Sequence, residues 1–347
     1  MLGVYNLNEP DFLSSQFQSR KTTTNETLMN VPYLRLGAAL TLFRTRAYAT
    51  EARERVKIVG AGPRDGLENE SAVIPPAVKA ELVNRLTNAR LEIIESGSFV
   101  SPKWVAQMAG TPEVLKTMQR VKGLHCPVLS PSEFLYTDEI AVFTAATDAF
   151  SKANTNCTVA ESLERLDVVL KRATKEGLRV RECIYVSVVD PVKVKDISHA
   201  LLDMGWYEVS LSDTVGTGDP TTIAKLLRTG HYHHTYGMSI ANILASLEYG
   251  LHMFDSSVGG LGGCLYSPGA TGNVATEDVL YALRGSKYET PGDLNAIAEV
   301  GTWISKMLNW TNSSCVGKAH EVRRAREQLE KERERDGGSA ESISAKL

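Results

Sequence analysis

The sequence predicts an α/β protein whose residues 51–314 form a (β/α)8 TIM barrel. From residue 56 onward, short apolar runs typical of strands alternate with longer runs typical of helices. The alternation gives eight strand–helix units over roughly 230 residues, close to the about 250 that such a barrel typically needs. The competing arrangement, an open doubly wound sheet, carries G-x-G-x-x-G after its first strand, and this motif is absent after VKIVGAG. The barrel is therefore the better interpretation.

The first four predicted strands are short apolar runs bounded by turn or helix-starting residues. They are VKIVGAG, LEIIESGSF, CPVLS and EIAVFTAATD, at residues 56–62, 91–99, 126–130 and 139–148. The first helix covers 75–90, and Thr111-Pro112 opens the second with a cap residue and a proline. Only PSEFLYTDE separates strands three and four, whereas a crossover between parallel strands needs about a dozen residues or more. We therefore predict an abbreviated crossover between strands three and four.

The second half of the barrel region repeats the pattern. Its predicted strands are RVRECIYVSV, YEVSLSDTV, HYHHTYG and HMFDSSVGG, at residues 179–188, 207–215, 231–237 and 252–260. Thr158 and Glu161 form a capping box that opens a helix to about Gly177, and Asp190-Pro191 and Asp219-Pro220 open the next two. SIANILASLEYG and ATEDVLYALRG complete the series of helices.

The N-terminal extension, residues 1–50, differs from the barrel region in composition. From Met29 it is arginine-containing and amphipathic and has no acidic residue until Glu51, which is typical of a mitochondrial transit peptide and predicts the mitochondrial matrix. The residues before Met29 contain three acids and do not fit this pattern. An internal start at Met29 would explain them; the alternative is a disordered N-terminal extension.

The C-terminal segment, residues 315–347, is predicted to be a charged, solvated helix followed by a tail. EVRRAREQLEKERER has no apolar stripe, which argues against a binding element. The chain ends in Ala-Lys-Leu, close to the peroxisomal address Ser-Lys-Leu, so a peroxisomal second location is possible.

Composition excludes several classes of protein. A formal net charge of -3 gives no basic footprint, so nucleic acid is not an expected partner. The apolar run LGAALTLF is too short to span a membrane. Five scattered cysteines without a C-x-x-C pair argue against a disulfide framework and a thiolate zinc site.

Barrel active sites lie at the C-terminal ends of the strands, and here those ends carry reactive side chains. The candidates are Arg64, Asp65, Glu95, Ser98, Asp213, His231, His233, Cys264 and Asn273. On an extended strand alternate residues share a face, so His231 and His233 can reach one cation. Each residue has a structural alternative. Arg64 and Asp65 could pair within a turn, Glu95 could cap or pair with a neighbouring strand, Asp213 could cap the next segment, and Cys264 could be buried and inert. Their convergence on one barrel end favours a site.

Five stretches carry a resemblance. GPRDGLENE, IESGSFVSPKWVAQM, SLSDTVGTG, HYHHTYG and SSVGGLGGC–GATGNVATED resemble the 3-hydroxy-3-methylglutaryl-CoA lyase family, in the same order, from about Val56 to Ser314. Related barrel enzymes share R-D-G and H-x-H but not FVSPKW or GGLGGC. The resemblance implies cleavage of the acyl-CoA to acetyl-CoA and acetoacetate, a divalent cation (Mg²⁺ or Mn²⁺) and a homodimer.

The resemblance also implies roles for the candidate residues. Asp65, His231, His233 and Asn273 would hold the cation, which would lower the pKa of the tertiary hydroxyl of the substrate. Arg64 would stabilise the enolate oxygen. Glu95, Asp213 and His231 are the candidates for proton transfer. Cys264 resembles the lid cysteine of the family and would protonate the acetyl-CoA carbanion.

The chain departs from the family at Glu68, His234 and Leu265, lacks the helix between strands three and four, and lacks a cysteine-bearing loop before Asp190. Three hypotheses follow. The first is an active lyase with shortened connections. The second is a catalytically impaired relative; a gene model that lacks some of its exons would look the same. The third is another carbon–carbon bond enzyme of the superfamily, acting on a different acyl-CoA or 2-oxo acid.

Overall fold

A computed structural model of the chain describes residues 53–68, 70–130, 137–185, 189–213, 216–223, 229–263 and 271–335. Residues Thr50–Leu347 form one compact unit. The proposed transit peptide, the C-terminal Ala-Lys-Leu and Cys264 lie outside the described residues. The division of the chain at residues 50 and 314 stays a prediction. No helix within the described ranges is long and apolar enough to cross a membrane.

Strands and helices alternate through the compact unit. The strands are β1 (Glu54–Arg55), β2 (Lys57–Gly60), β3 (Ile93–Ile94), β4 (Gly97–Ser98), β5 (Val128–Leu129), β6 (Glu139–Ala145), β7 (Arg179–Tyr185), β8 (Glu208–Asp213), β9 (Thr229–Tyr232), β10 (Met253–Ser256) and β11 (Tyr288–Glu289). The helices are α1 (Pro76–Asn88), α2 (Thr111–Thr117), α3 (Asp148–Thr155), α4 (Val159–Lys175), α5 (Pro191–Met204), α6 (Pro220–Ile223), α7 (Ser239–Glu248), α8 (Thr276–Leu283), α9 (Leu294–Met307) and α10 (Cys315–Arg335).

The main sheet closes on itself, as a TIM barrel requires. Its nine strands follow the order β3-β2-β10-β9-β8-β7-β6-β5-β4, and every pairing is parallel. The two end strands, β3 and β4, are halves of the single stretch 93–98. The amide of Ile94 donates to the carbonyl of His125 at 2.9 Å, and that of Ser96 to the carbonyl of Pro127 at 3.1 Å. β3 and β4 together occupy a single strand position of the barrel, so the nine strands fill eight positions. The predicted (β/α)8 fold is therefore confirmed.

Helix-starting signals explain where several helices begin. The Thr158 hydroxyl accepts from the Glu161 amide while the Glu161 carboxylate accepts from the Thr158 amide, so the predicted capping box opens α4. The Asp190 carboxylate accepts from the Val192 amide at the start of α5. At α2, however, Thr111 is already helical and Gly110 occupies the cap position.

The shortened crossover is present. β5 ends at Leu129 and β6 begins at Glu139, yet the two strands are parallel neighbours in which Val128 pairs with Ile140 and Leu129 with Ala141. The strand predicted at HYHHTYG needs correction, because β9 begins at Thr229 and ends at Tyr232. Residues after it form a turn because Gly237 adopts a positive φ of 75°. Helices α3 and α9 and the β1–β11 pair were not predicted from the sequence.

Two clusters of buried apolar side chains hold the helices on the sheet. The first core lies between β2, β10 and helices α1, α2 and α7–α9, and its largest fully buried members include Ile58, Leu82 and Phe254. The second core lies between β6–β8 and helices α4 and α5, and includes Ile140, Ile184 and Leu201. Burying one such side chain contributes about 1.5–3 kcal/mol to folding.

Candidate metal centre and active site

Arg64 and Asp65 follow β2 directly, in a π-helical turn at Gly62–Gly66. Such wide turns are rare and occur often at functional sites. A Cβ on Gly66 would lie 2.6 Å from the Ser257 hydroxyl and 3.0 Å from the Cβ of Leu261. The glycine of the R-D-G motif therefore allows the turn to pack against the segment after β10, which brings Arg64 and Asp65 over the barrel mouth.

Arg64 is held by carboxylates on two sides. Its Nε and Nη2 donate to Glu95 Oε2 at 2.9 and 2.6 Å, and its Nη1 donates to Asp65 Oδ1 at 2.8 Å. Glu95 is 3% exposed, so the pair is almost completely removed from water. Glu68 adds a longer contact to Nη1 at 3.5 Å, and burial raises its pKa, with the Arg64 charge opposing that rise. A fixed, permanently charged guanidinium next to a candidate metal ligand is suited to stabilising a developing anion.

His231 and His233 face one another in the barrel mouth. His231 lies on β9, and His233 stays extended beyond the end of the strand through an antiparallel bridge with Asn273. The two side chains therefore share a face, as the alternation of an extended chain predicts, and their Nε2 atoms lie 3.2 Å apart. The same bridge places Asn273 beside the pair.

The other nitrogen of each histidine is engaged by an acceptor. Nδ1 of His231 donates to Asp255 Oδ2 at 3.1 Å, and Nδ1 of His233 donates to the Thr271 carbonyl at 3.0 Å. With both protons on Nδ1, two Nε2 lone pairs face each other at 3.2 Å, which is unfavourable unless a proton or a cation lies between them. Metal-ligating histidines commonly have this arrangement, with the other ring nitrogen donating to a carboxylate or a backbone carbonyl.

The pKa values of the two imidazoles differ. Burial lowers the pKa of His233, and the neighbouring His231 lowers it further, to about 4. Burial alone would also lower the pKa of His231, but the hydrogen bond to Asp255 and the charges of Asp255 and Asp65 raise it. At neutral pH, His233 is therefore a neutral ligand, whereas His231 holds a proton more tightly than a free imidazole does.

Asp65 completes a group of three metal-binding side chains. The ligand atoms of Asp65, His231 and His233 lie within 4.8 Å of one another. Burial would raise the pKa of Asp65, but Arg64 and the two histidines outweigh it and the pKa is lowered, so the carboxylate stays ionised. Asn273 donates to Asp65 Oδ2 at 2.6 Å, while its own buried Oδ1 has no hydrogen-bond partner within the described part of the chain. Asp65, His231 and His233 fit a divalent cation, because their ligand atoms lie close together, and Asn273 lies beside them with an unpartnered amide oxygen within the described residues.

The residues that surround this centre were only partly predicted. Asp255 orients His231 and also accepts from Arg181 Nη2 at 3.0 Å. Burial alone would raise the pKa of Asp255, but Arg181 and His231 outweigh it, so the pKa is lowered. Neither Asp255 nor Arg181 was singled out in the sequence. A signal existed for Asp255, since an acid inside the apolar strand HMFDSS is unusual, but only strand register pairs it with His231.

Asp213 does not join the centre through its carboxylate. Oδ1 accepts from the Gly216 amide at 3.0 Å and Oδ2 accepts from the Gly218 amide at 2.7 Å. Asp213 therefore holds the loop that follows β8, which is the structural alternative noted for it. Its backbone carbonyl accepts from the His233 amide at 3.3 Å, so it also helps to place the second histidine.

Comparison with known proteins places this centre in a family. The family model described as HMGL-like matches residues 55–304. A curated hydroxymethylglutaryl-CoA lyase of Pseudomonas mevalonii is 43% identical over 79% of this chain and 99% of its own length. The mitochondrial hydroxymethylglutaryl-CoA lyase of Bos taurus is 42% identical over 77% of this chain and 90% of its own. A Pseudomonas aeruginosa protein named 3-hydroxy-3-isohexenylglutaryl-CoA/hydroxy-methylglutaryl-CoA lyase is 44% identical over 77% and 97%.

Solved structures agree. The hydroxymethylglutaryl-CoA lyase of Pseudomonas aeruginosa aligns with a TM-score of 0.75 at 42% identity, over 78% of this chain and 99% of that one. An HMG-CoA lyase from Acenitobacter baumannii, solved with coenzyme A and 3-methylmalate, aligns with a TM-score of 0.72 at 27% identity, over 76% and 94%. The family match covers the barrel and every residue of the candidate centre. The chain therefore belongs to the HMGL-like family.

Proposed function

We propose that the chain cleaves 3-hydroxy-3-methylglutaryl-CoA to acetyl-CoA and acetoacetate. The observation that carries the proposal is the geometry of the two histidines, whose Nε2 atoms face each other at 3.2 Å beside Asp65 and the Arg64–Glu95 pair. This arrangement combines a cation site with a fixed positive charge, which are the two elements that breaking a C2–C3 bond next to a tertiary hydroxyl requires. The curated relatives with this name support the proposal.

The proposed cofactor is Mg²⁺ or Mn²⁺, held by Asp65, His231, His233 and Asn273. When bound, the cation would lower the pKa of the substrate hydroxyl and polarise its oxygen. Two imidazoles and two oxygen donors form a mixed set, and Mg²⁺ usually prefers oxygen ligands alone. Among the two candidates, this chemistry favours Mn²⁺.

The side chains around the cation would handle charge and protons. The hydroxyl proton leaves to a base, the C2–C3 bond breaks to give acetoacetate and the enolate of acetyl-CoA, and C2 of the enolate is protonated. Arg64, fixed by Glu95, stabilises the enolate oxygen. Asp213 already accepts backbone amides with both carboxylate oxygens, and His231, oriented by Asp255, can take the proton only through Nε2 when that nitrogen is not bound to the cation. Cys264 is the proposed acid for C2.

The size of the group on C3 of the substrate is a second question for this proposal. The name of the relative from Pseudomonas aeruginosa includes an isohexenyl substituent in place of the methyl group. The same reaction on such a substrate would need additional apolar space near the centre.

The test is acetoacetate release from 3-hydroxy-3-methylglutaryl-CoA by the full chain, measured with Mg²⁺, with Mn²⁺ and with excess chelator. We expect release that the chelator abolishes and that added metal restores. Folded, monodisperse protein that binds metal but releases no acetoacetate would contradict the proposal and favour a catalytically impaired relative. Cleavage of a different acyl-CoA alone would favour another enzyme of the superfamily.

Assembly and location are separate proposals. We propose a homodimer, which light scattering on the purified chain would show as twice the 37.9 kDa chain mass. We propose import into the mitochondrial matrix through residues 1–50, supported by the mitochondrial relative from Bos taurus. Fluorescent fusions that carry or lack residues 1–50 test the location, and masking the C-terminal Ala-Lys-Leu tests the peroxisomal alternative.

A further inference from the structure

Arg181 is a charged side chain in the interior of the barrel, where layers of apolar side chains normally pack. It lies on β7 and is only 2% exposed. Its guanidinium crosses the barrel, because it donates to Asp255 on β10 although β8 and β9 lie between the two strands in the sheet. Replacing a buried ion pair by well-packed apolar side chains is often neutral or stabilising. The position of Arg181 therefore needs an explanation other than stability.

The two Nη atoms of Arg181 face two different carboxylates. Nη2 donates to Asp255 Oδ1 at 3.0 Å, and Nη1 lies 4.0 Å from Glu95 Oε1. A third carboxylate, that of Glu208 on the adjacent strand β8, lies 3.6 Å from Nε. Burial would lower the pKa of Arg181, but the three carboxylates outweigh it and raise the pKa, so the side chain keeps its charge.

Both facing carboxylates use their other oxygen to hold a residue of the candidate site. Asp255 accepts from Arg181 through Oδ1 and from His231 Nδ1 through Oδ2, the latter at 3.1 Å. Glu95 turns Oε1 towards Arg181, and its Oε2 accepts from Nε and Nη2 of Arg64 at 2.9 and 2.6 Å. Arg181 therefore lies behind a candidate metal ligand and also behind the arginine proposed to stabilise the enolate.

A carboxylate held through one oxygen keeps the direction of the other. For Asp255, this holds Oδ2 at Nδ1 of His231, so that the lone pair of Nε2 faces the metal-binding group. Nη1 of Arg181 makes no hydrogen bond within the described part of the chain, so its approach to Glu95 at 4.0 Å is an electrostatic contact only. The hold on Asp255 is therefore the stronger of the two.

We propose that Arg181 is a positioning residue shared by the metal-binding group and by the enolate-stabilising arginine. Through Asp255 it orients His231. Through Glu95 it fixes Arg64, and it touches neither the cation nor the substrate itself. The inference rests on the proposed function for Arg64, whereas metal binding by His231 is measurable without a substrate. The competing role is purely structural, in which Arg181 only neutralises the carboxylates around it.

The test uses the double variant Arg181→Met/Glu208→Gln in the full chain. It removes one positive and one negative charge, so the net charge of the buried group stays the same. Calorimetry measures Mn²⁺ affinity, and steady-state kinetics at saturating Mn²⁺ measure kcat and KM for 3-hydroxy-3-methylglutaryl-CoA. We expect Mn²⁺ affinity to fall about 10–100-fold, as when the partners behind metal-ligating histidines are lost. We also expect kcat to fall at least about tenfold with KM little changed.

Single variants separate the two arms. Asp255→Asn should weaken Mn²⁺ binding about 10–100-fold, because it alters the acceptor behind His231. Glu95→Gln should lower kcat but leave Mn²⁺ affinity within about threefold, because Glu95 holds Arg64 and not a metal ligand. Glu208→Gln alone should leave both quantities within about threefold, since it retains both contacts that carry the proposal. Only loss of Arg181 is expected to affect both arms.

Arg179→Met/Glu139→Gln is the matched control. Arg179 lies two residues before Arg181 on the same strand, and its Nη2 pairs with Glu139 Oε2 at 2.6 Å. The control therefore removes the same two charges from an ion pair on the β6 side of the barrel. We expect a lower melting temperature, with Mn²⁺ affinity and kcat within about threefold of the unmodified chain.

Melting temperatures identify a variant that fails to fold. If Arg181→Met/Glu208→Gln does so, Arg181→Lys takes its place. Lysine keeps the charge but donates from a single nitrogen, so it cannot face both carboxylates as the two Nη atoms do. We then expect a loss of at least about threefold in Mn²⁺ affinity or in kcat, and no loss in either would overturn the inference.

The outcomes separate the two proposals. A lower melting temperature with unchanged Mn²⁺ affinity and kcat overturns this inference and leaves the proposed function intact. A loss of Mn²⁺ affinity without a loss of kcat at saturating metal overturns the shared role. If the unmodified chain binds Mn²⁺ but cleaves no 3-hydroxy-3-methylglutaryl-CoA, the proposed function fails and the shared role fails with it. The Mn²⁺ affinities then still decide whether Arg181 positions His231.

Discussion

Two sides of the barrel differ in what they contribute to the candidate metal centre. The centre side comprises β2, β9, β10 and the stretch 93–98, and it contributes Arg64, Asp65, Glu95, His231 and Asp255. The shortened side comprises β5, β6 and the connection 130–138, and none of its described residues belongs to the metal-binding group. The barrel still closes at β5–β6, through Val128–Ile140 and Leu129–Ala141. A short crossover is therefore compatible with the fold where it does not position a ligand.

Charged groups show the same difference. On the centre side, carboxylates converge on Arg64, and Asp255 pairs with Arg181 of β7, with little access to water. On the shortened side, Asp138 is 55% exposed, and Arg179, the partner of Glu139, is 47% exposed. A buried ion pair that loses one partner leaves an uncompensated charge, whereas an exposed one is solvated. Equivalent changes on the two sides should therefore have unequal effects.

The largest effect is expected at Asp65. Asp65→Asn removes a negative ligand from the cation site, and we expect kcat/KM to fall at least about 1,000-fold, with weaker Mn²⁺ binding by calorimetry. Asp138→Asn is the same chemical change on the shortened side, where we expect activity within twofold of the unmodified chain. A comparable loss in both variants would break the distinction between the two sides.

A second pair compares two buried glutamates that each hold an arginine. Glu95→Gln weakens the anchor of Arg64, and we expect kcat/KM to fall roughly 100-fold because a transition-state donor is misplaced. Glu139 accepts from Tyr207 at 2.7 Å and pairs with Arg179 at 2.6 Å. Glu139→Gln should instead lower the free energy of unfolding by about 1–3 kcal/mol and leave kcat/KM of the folded protein unchanged. Steady-state kinetics and urea unfolding of both variants distinguish a loss of activity from a loss of stability. An unchanged kcat/KM in Glu95→Gln contradicts the proposed role of Glu95.

The third prediction concerns Glu277, which is fully buried and accepts the Gly259 amide at 3.0 Å. Burial raises its pKa from 4.5 to about 8. A carboxyl whose pKa is raised by folding contributes stability below its unfolded value and loses it as pH rises towards 8. We expect Glu277→Gln to gain about 2–3 kcal/mol in unfolding free energy relative to the unmodified chain between pH 5 and pH 7.5. Urea unfolding across this range measures it, and a difference that does not change with pH would contradict the prediction.

The smallest effect is expected at the helix that follows the shortened side. Thr158→Ala removes the hydroxyl that accepts from the Glu161 amide at the start of α4, while the backbone amide of residue 158 can still donate to the Glu161 carboxylate, and we expect the free energy of unfolding to fall by about 1 kcal/mol. Because no residue of α4 belongs to the metal-binding group, acetoacetate release should be unchanged at 25 °C. Thr158→Ser, which keeps the hydroxyl, is the matched control and should retain the stability. A loss of activity in the alanine variant of the folded protein would show that the two sides are coupled.

Several features of the protein were predictable from local sequence alone. The alternation of apolar and amphipathic runs gave the barrel, because the side-chain periods of strands and helices are local properties. The capping box at Thr158 and the Asp190-Pro191 pair placed helix starts correctly for the same reason. His231 and His233 were expected on one face, and the structure places them so. The abbreviated crossover followed from the length of the connection.

Other features were decided only by the tertiary structure. Closure of the sheet depends on the stretch 93–98 serving two edges, and the partners Asp255 and Arg181 come from strands that are distant in sequence. Asp213 was a candidate because it lies at the C-terminal end of a strand. Its carboxylate, however, accepts from the backbone amides of Gly216 and Gly218 and does not join the metal centre. Local sequence determines which residues can form a strand or ligate a metal. Strand register and burial determine which of them meet and which nitrogen carries a proton, because these depend on contacts between segments far apart in the chain.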